Sequence, residues 1–263
     1  FILIAVPLFI FAGEILSSGG VGRRIVDFAR ALLGFLPGGL GGVMVGSCLM
    51  FGGVWGSAIA DTAAIGSLVI PAMVQRGYSR GFAAALLAVA GTLALLMPLS
   101  IPFLVYAFIS GVSMRQLSMA GIAPAIIAGA ALMAVCVWHG RRTGCDSGDG
   151  RLSAREVWKA TKAAGPALLM PLIIVGGIWS GFFTPTESAA VAVVYGIVVS
   201  PALYRDITVR DLPRLLVNAF QTSATVMLVI GATGALAWLI TVEQVAVQMA
   251  IWIKLVASEP WMF

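Results

Sequence analysis

Long apolar runs alternate with short clusters of charge along this chain. Charge-free stretches cover 1–13, 31–60, 62–75, 81–114, 116–140, 163–186, 188–204, 215–242 and 244–253. A membrane helix needs about 20 predominantly apolar residues, and most of these runs are long enough to cross. Two of them are not simple spans. Pro37-Gly38-Gly39 stops any helix entering the run after Arg30. Beyond it lie two apolar arms, 40–54 and 59–74, separated by Trp55-Gly56-Ser57-Ala58. At 1.5 Å rise per residue each arm reaches only about 22–24 Å, short of a ~30 Å hydrocarbon core. Two short arms around a tip of small residues predict a re-entrant helical hairpin over 40–75. The second exception is 81–110, which is long enough to cross but is interrupted by Pro98-Leu99-Ser100-Ile101-Pro102. Each proline removes a backbone donor and frees the carbonyl four residues earlier. The freed carbonyls, at Ala94 and Pro98, need partners inside a membrane, so a discontinuous helix is expected.

Composition agrees with this pattern. Of the 263 residues 60% are hydrophobic and 10% charged, and the mean hydropathy is +1.03. A soluble domain carries about 25% charged residues, so a water-soluble globular protein is excluded. The expected fold class is an all-α polytopic membrane protein. The net charge of +5 does not point to nucleic acid, because the basic residues lie in short loops between apolar runs. With spans over 1–16, 119–138, 165–181, 188–203 and 215–240, a crossing at 81–110 and a hairpin that returns to its own side, the charges partition sharply. All Lys and Arg except Arg115 and Lys254 fall on one side. The positive-inside rule makes that side cytoplasmic; a single span over 43–75 would scramble the partition. Residues 22–33, basic and amphipathic, suit a helix lying on the cytoplasmic interface. The hydrophilic stretch 139–162 is expected to be a cytoplasmic linker between a first membrane half, 1–138, and the start of a second, 163–263. The chain starts at Phe1 and ends on Trp261-Met262-Phe263, which reads as a fragment of a longer protein truncated in its second half.

Few residues can carry chemistry. Asp61 is the one carboxylate deep in the hairpin, and an acid inside a membrane is costly and by default functional. Ser57, Asp61, Thr62 and the free carbonyls around Gly56 are hard oxygen donors that suit a small hard cation better than a soft metal. The other reading of Asp61 is a favourable charge at a helix N-terminus. Hairpins and broken helices meeting at the midplane build ion and substrate sites in secondary transporters. Ser100, between Pro98 and Pro102, is the side-chain candidate there; a plain proline kink with Ser100 serving the backbone is the alternative. Thr184-Pro185-Thr186-Glu187 forms a capping box, with Thr184 as N-cap and Glu187 at N3. His139 lies between Cys136 and Cys145, too few ligands for a zinc site. The three cysteines are scattered and do not suggest a disulfide framework. A serine near glycines at 53–57 lacks a base within reach, so no enzyme is expected.

Several segments together resemble the large membrane subunit, of DctM type, of TRAP transporters. They are Ala5-Val-Pro-Leu-Phe-Ile-Phe-Ala-Gly-Glu14, Gly56-Ser-Ala-Ile-Ala-Asp-Thr-Ala-Ala-Ile-Gly66, Ile70-Pro-Ala-Met73, Arg76-Gly-Tyr78 and Phe183-Thr-Pro-Thr-Glu-Ser-Ala-Ala-Val-Ala-Val-Val-Tyr195. The resemblance implies half of an inverted-repeat, elevator-type transporter in the bacterial inner membrane, importing organic acids such as C4-dicarboxylates or sialic acid. It implies sodium as coupling ion, no other cofactor or metal, a small membrane subunit and a periplasmic substrate-binding protein as partners, and no nucleic acid. On matching positions, Gly56, Ser57, Ala58 and Asp61 would form the hairpin part of the site, and Pro98, Ser100 and Pro102 the broken-helix part. The second hairpin and second broken helix of such a protein would follow residue 263. This chain departs from the family pattern at Trp55, where a small Ser is usual, and at Ala94-Leu95 and Leu99, which replace Gly-Pro and a second Pro. The alternative is the membrane subunit of an ATP-driven importer, because Asp61-Thr-Ala-Ala-Ile-Gly66 followed by Ile70-Pro71 faintly resembles an ATPase-docking loop. That stretch is too short and too apolar for such a loop.

Overall fold

Apolar residues without strand-like alternation give helices throughout. The computed structural model describes residues 2–18, 20–55, 57–98, 100–146, 153–204, 207–245, 247–249 and 251. These residues form helices, short 3-10 and π turns and connecting loops, and among them there is no strand. Helix α1 (Ile2–Ser18) is followed by α2 (Val21–Leu33), at 72° to it. The hairpin is α3 (Gly39–Trp55) and α4 (Ala58–Gln75). The interrupted helix is α5 (Arg80–Thr92), a 3-10 turn (Leu93–Leu96) and α6 (Ile101–Ser110). Then come α7 (Met114–Thr143), α8 (Ala154–Ser180), α9 (Pro185–Val199), a π turn (Ser200–Tyr204), a 3-10 turn (Val209–Asp211) and α10 (Leu212–Val242).

The lengths fit a polytopic membrane protein. Helices α7, α8 and α10 are long and apolar enough to cross a bilayer, and the bent pairs α1–α2 and α5–α6 raise the number of candidate spans to five. Residues 1–220 pack as one compact unit, and 221–263 form a second. Helix α3 is at the centre of the first unit. It is apolar all round, which is the mark of a helix buried on every face, and it packs on α2, α4, α5 and α7. Val43, Met44, Val45, Cys48 and Phe51 are all buried. In the second unit the remainder of α10 is an apolar helix whose side chains are largely exposed.

Three features add to the sequence-based expectation. First, the apolar face of α2 (Val21, Ile25, Ala29) is buried against protein, because α2 packs on α3 and α8. Arg23, Asp27 and Arg30 on its opposite face are exposed, and so is Leu32 near its end. Second, the 139–162 stretch is helical at both ends: α7 continues to Thr143 and α8 begins at Ala154. Polar residues support a helix as well as apolar ones do, so the end of an apolar run is not the end of a helix. Third, the compact units divide within α10, between Phe220 and Gln221.

Two local devices complete the scaffold. The Tyr204 hydroxyl accepts from the Ala167 N–H at 3.0 Å and donates to the Ala163 carbonyl at 3.4 Å. It thereby ties the end of the π turn to the turn of α8 around Pro166. The Arg24 guanidinium lies 3.9 Å from the Tyr204 ring centroid, a cation–π contact that ties α2 to the same point. Helix α9 opens on a capping box. The Thr184 Oγ1 accepts from the Glu187 N–H at 3.3 Å, and Glu187 Oε2 accepts from the Thr184 N–H at 2.8 Å. Thr208 and Asp211 repeat half of this motif before α10: Asp211 Oδ2 accepts from the Thr208 hydroxyl at 2.6 Å and the Thr208 N–H at 2.9 Å. These bonds hold the Asp211 carboxyl below its ordinary range.

Candidate functional site: a helical hairpin against an interrupted helix

The tip of the hairpin is built by helix starts and small residues. Asp61 stands in the first turn of α4, where its N–H donates to the Ser57 carbonyl at 2.9 Å. The Asp61 side chain is fully buried. Thr62 donates its hydroxyl to the Ala58 carbonyl at 2.6 Å. Ser57 and Ala58 are half-buried. Gly56 lies outside the described residues, as does the Trp55 side chain.

The interrupted helix has the form its prolines demand. Met97 and Ser100 are extended, with ψ of 150° and 143°. Pro102 sits in the first turn of α6, where its missing N–H costs nothing. Both freed carbonyls find partners. The Ala94 carbonyl accepts from the Met97 N–H at 3.3 Å, and the buried Pro98 carbonyl accepts from the Ser118 hydroxyl of α7 at 3.0 Å. Ser100 is fully buried, does not cap α6, and its hydroxyl has no hydrogen-bond partner among the described residues. A buried hydroxyl left unused is uncommon and calls for a reason. Leu99 lies outside the described residues.

Hairpin and break touch at both arms. On α3, a Cβ added at Gly52 would lie 2.5 Å from the Ala94 Cα and 3.1 Å from the Met97 Cγ, and one at Gly53 would lie 3.4 Å from the Met97 Cε. On α4, Thr62 packs so tightly on Gly91 of α5 that a Cβ at Gly91 would overlap its hydroxyl. The small Ala94 is therefore the residue on which the end of α3 rests. The structure thus brings Thr62 and the N-terminal side of the break together. No direct bond joins Ser100 to Ser57, Asp61 or Thr62. Thr184 and Glu187 belong to α9, which packs chiefly on α1 and α8.

The other end of the hairpin is closed by a residue that sequence reasoning passed over. Asp146, just beyond α7, is buried and has a φ of 52°. Its Oδ2 accepts from the Leu40 N–H at 2.8 Å, in the first turn of α3. Its Oδ1 accepts from Arg76 Nη1 at 2.7 Å, just past the end of α4. The Tyr78 hydroxyl lies 3.5 Å from Oδ2, and the Asp146 carbonyl accepts from the Gly38 N–H at 2.9 Å. Burial, with the Asp146 charge adding to it, raises the Tyr78 phenol above its ordinary range and keeps it a donor. One carboxylate therefore holds both ends of the hairpin side by side. Ser118 was likewise missed. It is a lone hydroxyl in an apolar run, and nothing local points it at Pro98. His139 stacks on Phe82 with ring centroids 3.8 Å apart. Among the described residues no group of three or more His, Cys, Asp or Glu could hold a metal ion.

Residues 1–263 match the family described as Tripartite ATP-independent periplasmic transporter, DctM component. The chain is 38% identical over 260 residues to the 2,3-diketo-L-gulonate TRAP transporter large permease protein YiaN of Escherichia coli K12, covering 99% of this chain and 61% of YiaN. It is 38% identical over 261 residues to the C4-dicarboxylate TRAP transporter large permease protein DctM of Pseudomonas aeruginosa, with coverages of 99% and 61%. It is 34% identical over 260 residues to the sialic acid TRAP transporter large permease protein SiaM of Vibrio cholerae, again with 99% and 61%. The chain thus spans about 61% of the length of these relatives.

Proposed function

Because the chain belongs to the DctM component family of tripartite ATP-independent periplasmic transporters, we propose that it is part of a large permease importing an organic acid with sodium ions. The observation that carries this reading is the packing of the hairpin tip on the interrupted helix, at Gly52 against Ala94 and Thr62 against Gly91. Irregular backbone at membrane depth is tolerated where it lines a cavity or is buried in protein, and paired hairpins and breaks are where secondary transporters hold ions and substrates. Gly56, Ser57, Ala58, Asp61 and Thr62 form the hairpin side of the site, and Pro98, Ser100 and Pro102 the side of the break. The donors are carboxylate, hydroxyl and carbonyl oxygens, which fit a hard monovalent cation. The buried Ser100 hydroxyl, without a hydrogen-bond partner among the described residues, supports the fit. Sodium, when bound, supplies positive charge that an organic carboxylate can share. Asp61 carries the negative charge of the hairpin, and Ser57, Thr62 and Ser100 supply neutral oxygens.

The three relatives are named for diketogulonate, C4-dicarboxylates and sialic acid, all of them organic acids. The proposed substrate is a member of that class. The proposed partners are a small membrane subunit and a periplasmic binding protein, and the proposed location is the inner membrane with the 139–162 segment cytoplasmic. An ATP-driven importer is disfavoured by the middle of α4: Ile65, Gly66 and Val69 are buried in a continuous helix, not displayed on a docking loop. The test is uptake by the full-length permease with both partners in proteoliposomes. An inward sodium gradient should drive accumulation of the acid delivered by the binding protein. Accumulation that needs ATP and ignores sodium would refute the proposal.

A further inference from the structure

We infer that Ser118 of α7, seated with Gly121, is the positioning residue that fixes where the interrupted helix restarts, and with it the placement of Ser100. The inference rests on the reading above that the break lines the ion and substrate site. The two sides of the break differ in how they satisfy their backbone. On the N-terminal side the carbonyl freed by Pro98 is closed locally, by the Met97 N–H folding back onto Ala94 at 3.3 Å. On the C-terminal side Pro102 removes the donor that the Pro98 carbonyl would have had. There the replacement comes from another helix: the Ser118 hydroxyl, itself buried, donates at 3.0 Å. A buried carbonyl without a partner is strongly disfavoured in a membrane. The start of α6 is therefore pinned to one residue of α7.

A second observation on the same helix points the same way. Gly121 is one turn beyond Ser118 and is buried. A Cβ there would lie 2.6 Å from the Leu96 carbonyl oxygen and 2.5 Å from Phe103 Cε2. Only a residue without a side chain lets α7 approach the break this closely. Leu96 and Phe103 flank the break on its two sides, so Gly121 faces both of its halves. Further along the same face, Gly129 and Cys136 abut Leu49 and Gly41 of α3. Helix α7 thus registers the hairpin and the break against one common surface. Ser100, two residues past the carbonyl that Ser118 holds, takes its place from that register.

The experiment uses the full-length permease with its partners in proteoliposomes, and reads initial uptake against external sodium. The wild type comes first: if its uptake is indifferent to sodium, the functional reading fails and Ser118 is not at issue. Given a sodium-dependent wild type, Ser118→Ala should raise the sodium concentration for half-maximal uptake about tenfold, the scale of one buried hydrogen bond lost. Ser118→Thr, which keeps the hydroxyl, should restore it to within about twofold. Wild-type sodium dependence in Ser118→Ala would overturn the inference while leaving sodium-driven transport intact, and equal impairment in the Ala and Thr variants would overturn it as well. Ser118→Cys, a weak donor of similar size, serves if the alanine variant does not insert, and should fall between the two; wild-type behaviour there counts against the inference. Hydrogen–deuterium exchange over residues 94–104 of the purified protein gives a readout independent of transport. Exchange should accelerate in Ser118→Ala and not in Ser118→Thr, and unchanged exchange in the alanine variant would contradict the role.

Discussion

Removing the carboxylate of Asp146 should open the base of the hairpin. In Asp146→Ala the Leu40 N–H loses a charged acceptor at 2.8 Å, and a buried donor deprived of such a partner costs roughly 1.5–3 kcal/mol. The Arg76 pair at 2.7 Å is lost too. The Arg76 side chain keeps 30% of its exposure, so water recovers part of that loss and about 1 kcal/mol remains. Alanine must also hold the φ of 52° that Asp146 adopts; the left-handed region costs an ordinary residue about 1–2 kcal/mol, and Asp tolerates it better. The sum is about 3.5–6 kcal/mol, overlapping the range of about 3–5 found when one partner of a buried ion pair is removed. Asp146→Asn keeps an acceptor for Leu40 and loses only the charge, so about 1–2 kcal/mol is expected. Local opening is read by hydrogen–deuterium exchange of the Leu40 amide, with peptides over 36–44 and 76–80. At about 1.4 kcal/mol per tenfold, the alanine variant should exchange at least ~100-fold faster and the asparagine variant about tenfold faster. Wild-type protection of Leu40 in Asp146→Ala would refute the reasoning, since the carboxylate would then not be what closes the hairpin.

Other consequences can be checked separately. Asp61→Asn keeps shape and burial but removes the one charge of the hairpin tip; sodium-driven uptake should fall at least ~10-fold, the scale of a lost charged contact, while the protein still inserts. Wild-type uptake kinetics in that variant would reject Asp61 as an ion ligand. Gly91→Val drives a branched side chain into the Thr62 hydroxyl, and overpacking of this kind costs about 1–3 kcal/mol, visible as a lower unfolding temperature in detergent. Thr184→Ala removes the N-cap of α9 and should cost about 1 kcal/mol without altering the sodium dependence of uptake; a changed sodium dependence would mean that α9 takes part in the site.

Features of the chain written by local sequence are legible; those made by distant partners are not. The hairpin arms are readable because Pro37-Gly38-Gly39 and the tip at 55–58 interrupt otherwise continuous apolar runs. The apolar arms 40–54 and 59–74 lie within a residue of α3 and α4. The break at Pro98–Pro102 is readable because proline chemistry depends on four residues of context. The sequence even says that the carbonyls of Ala94 and Pro98 need partners; it does not say that Ser118 is one of them. Asp146 looks like one more polar residue in a linker, because its partners at Leu40 and Arg76 are remote in the chain. The amphipathic pattern of α2 is real, but an apolar stripe meets lipid and protein on equal terms, and here α3 and α8 cover it. Apolar runs mark the part of a helix suited to lipid and leave its polar ends unmarked, so α7 and α8 reach into 139–162. The Thr208-x-x-Asp211 cap was legible by the same rule as Thr184-x-x-Glu187, and was overlooked.

A site at the hairpin tip requires the chain between Leu40 and Val74 to enter the membrane and return to the face it left. The direct measurement places single cysteines at Leu36 and at Gln75 in the full-length protein and labels them with a membrane-impermeant maleimide, from each side, in oriented vesicles. Asp146 holds Leu40 and Arg76 side by side, so both sites should react from the cytoplasmic face alone. Labelling of Gln75→Cys from the periplasmic face, with Leu36→Cys still reached from the cytoplasm, would contradict it.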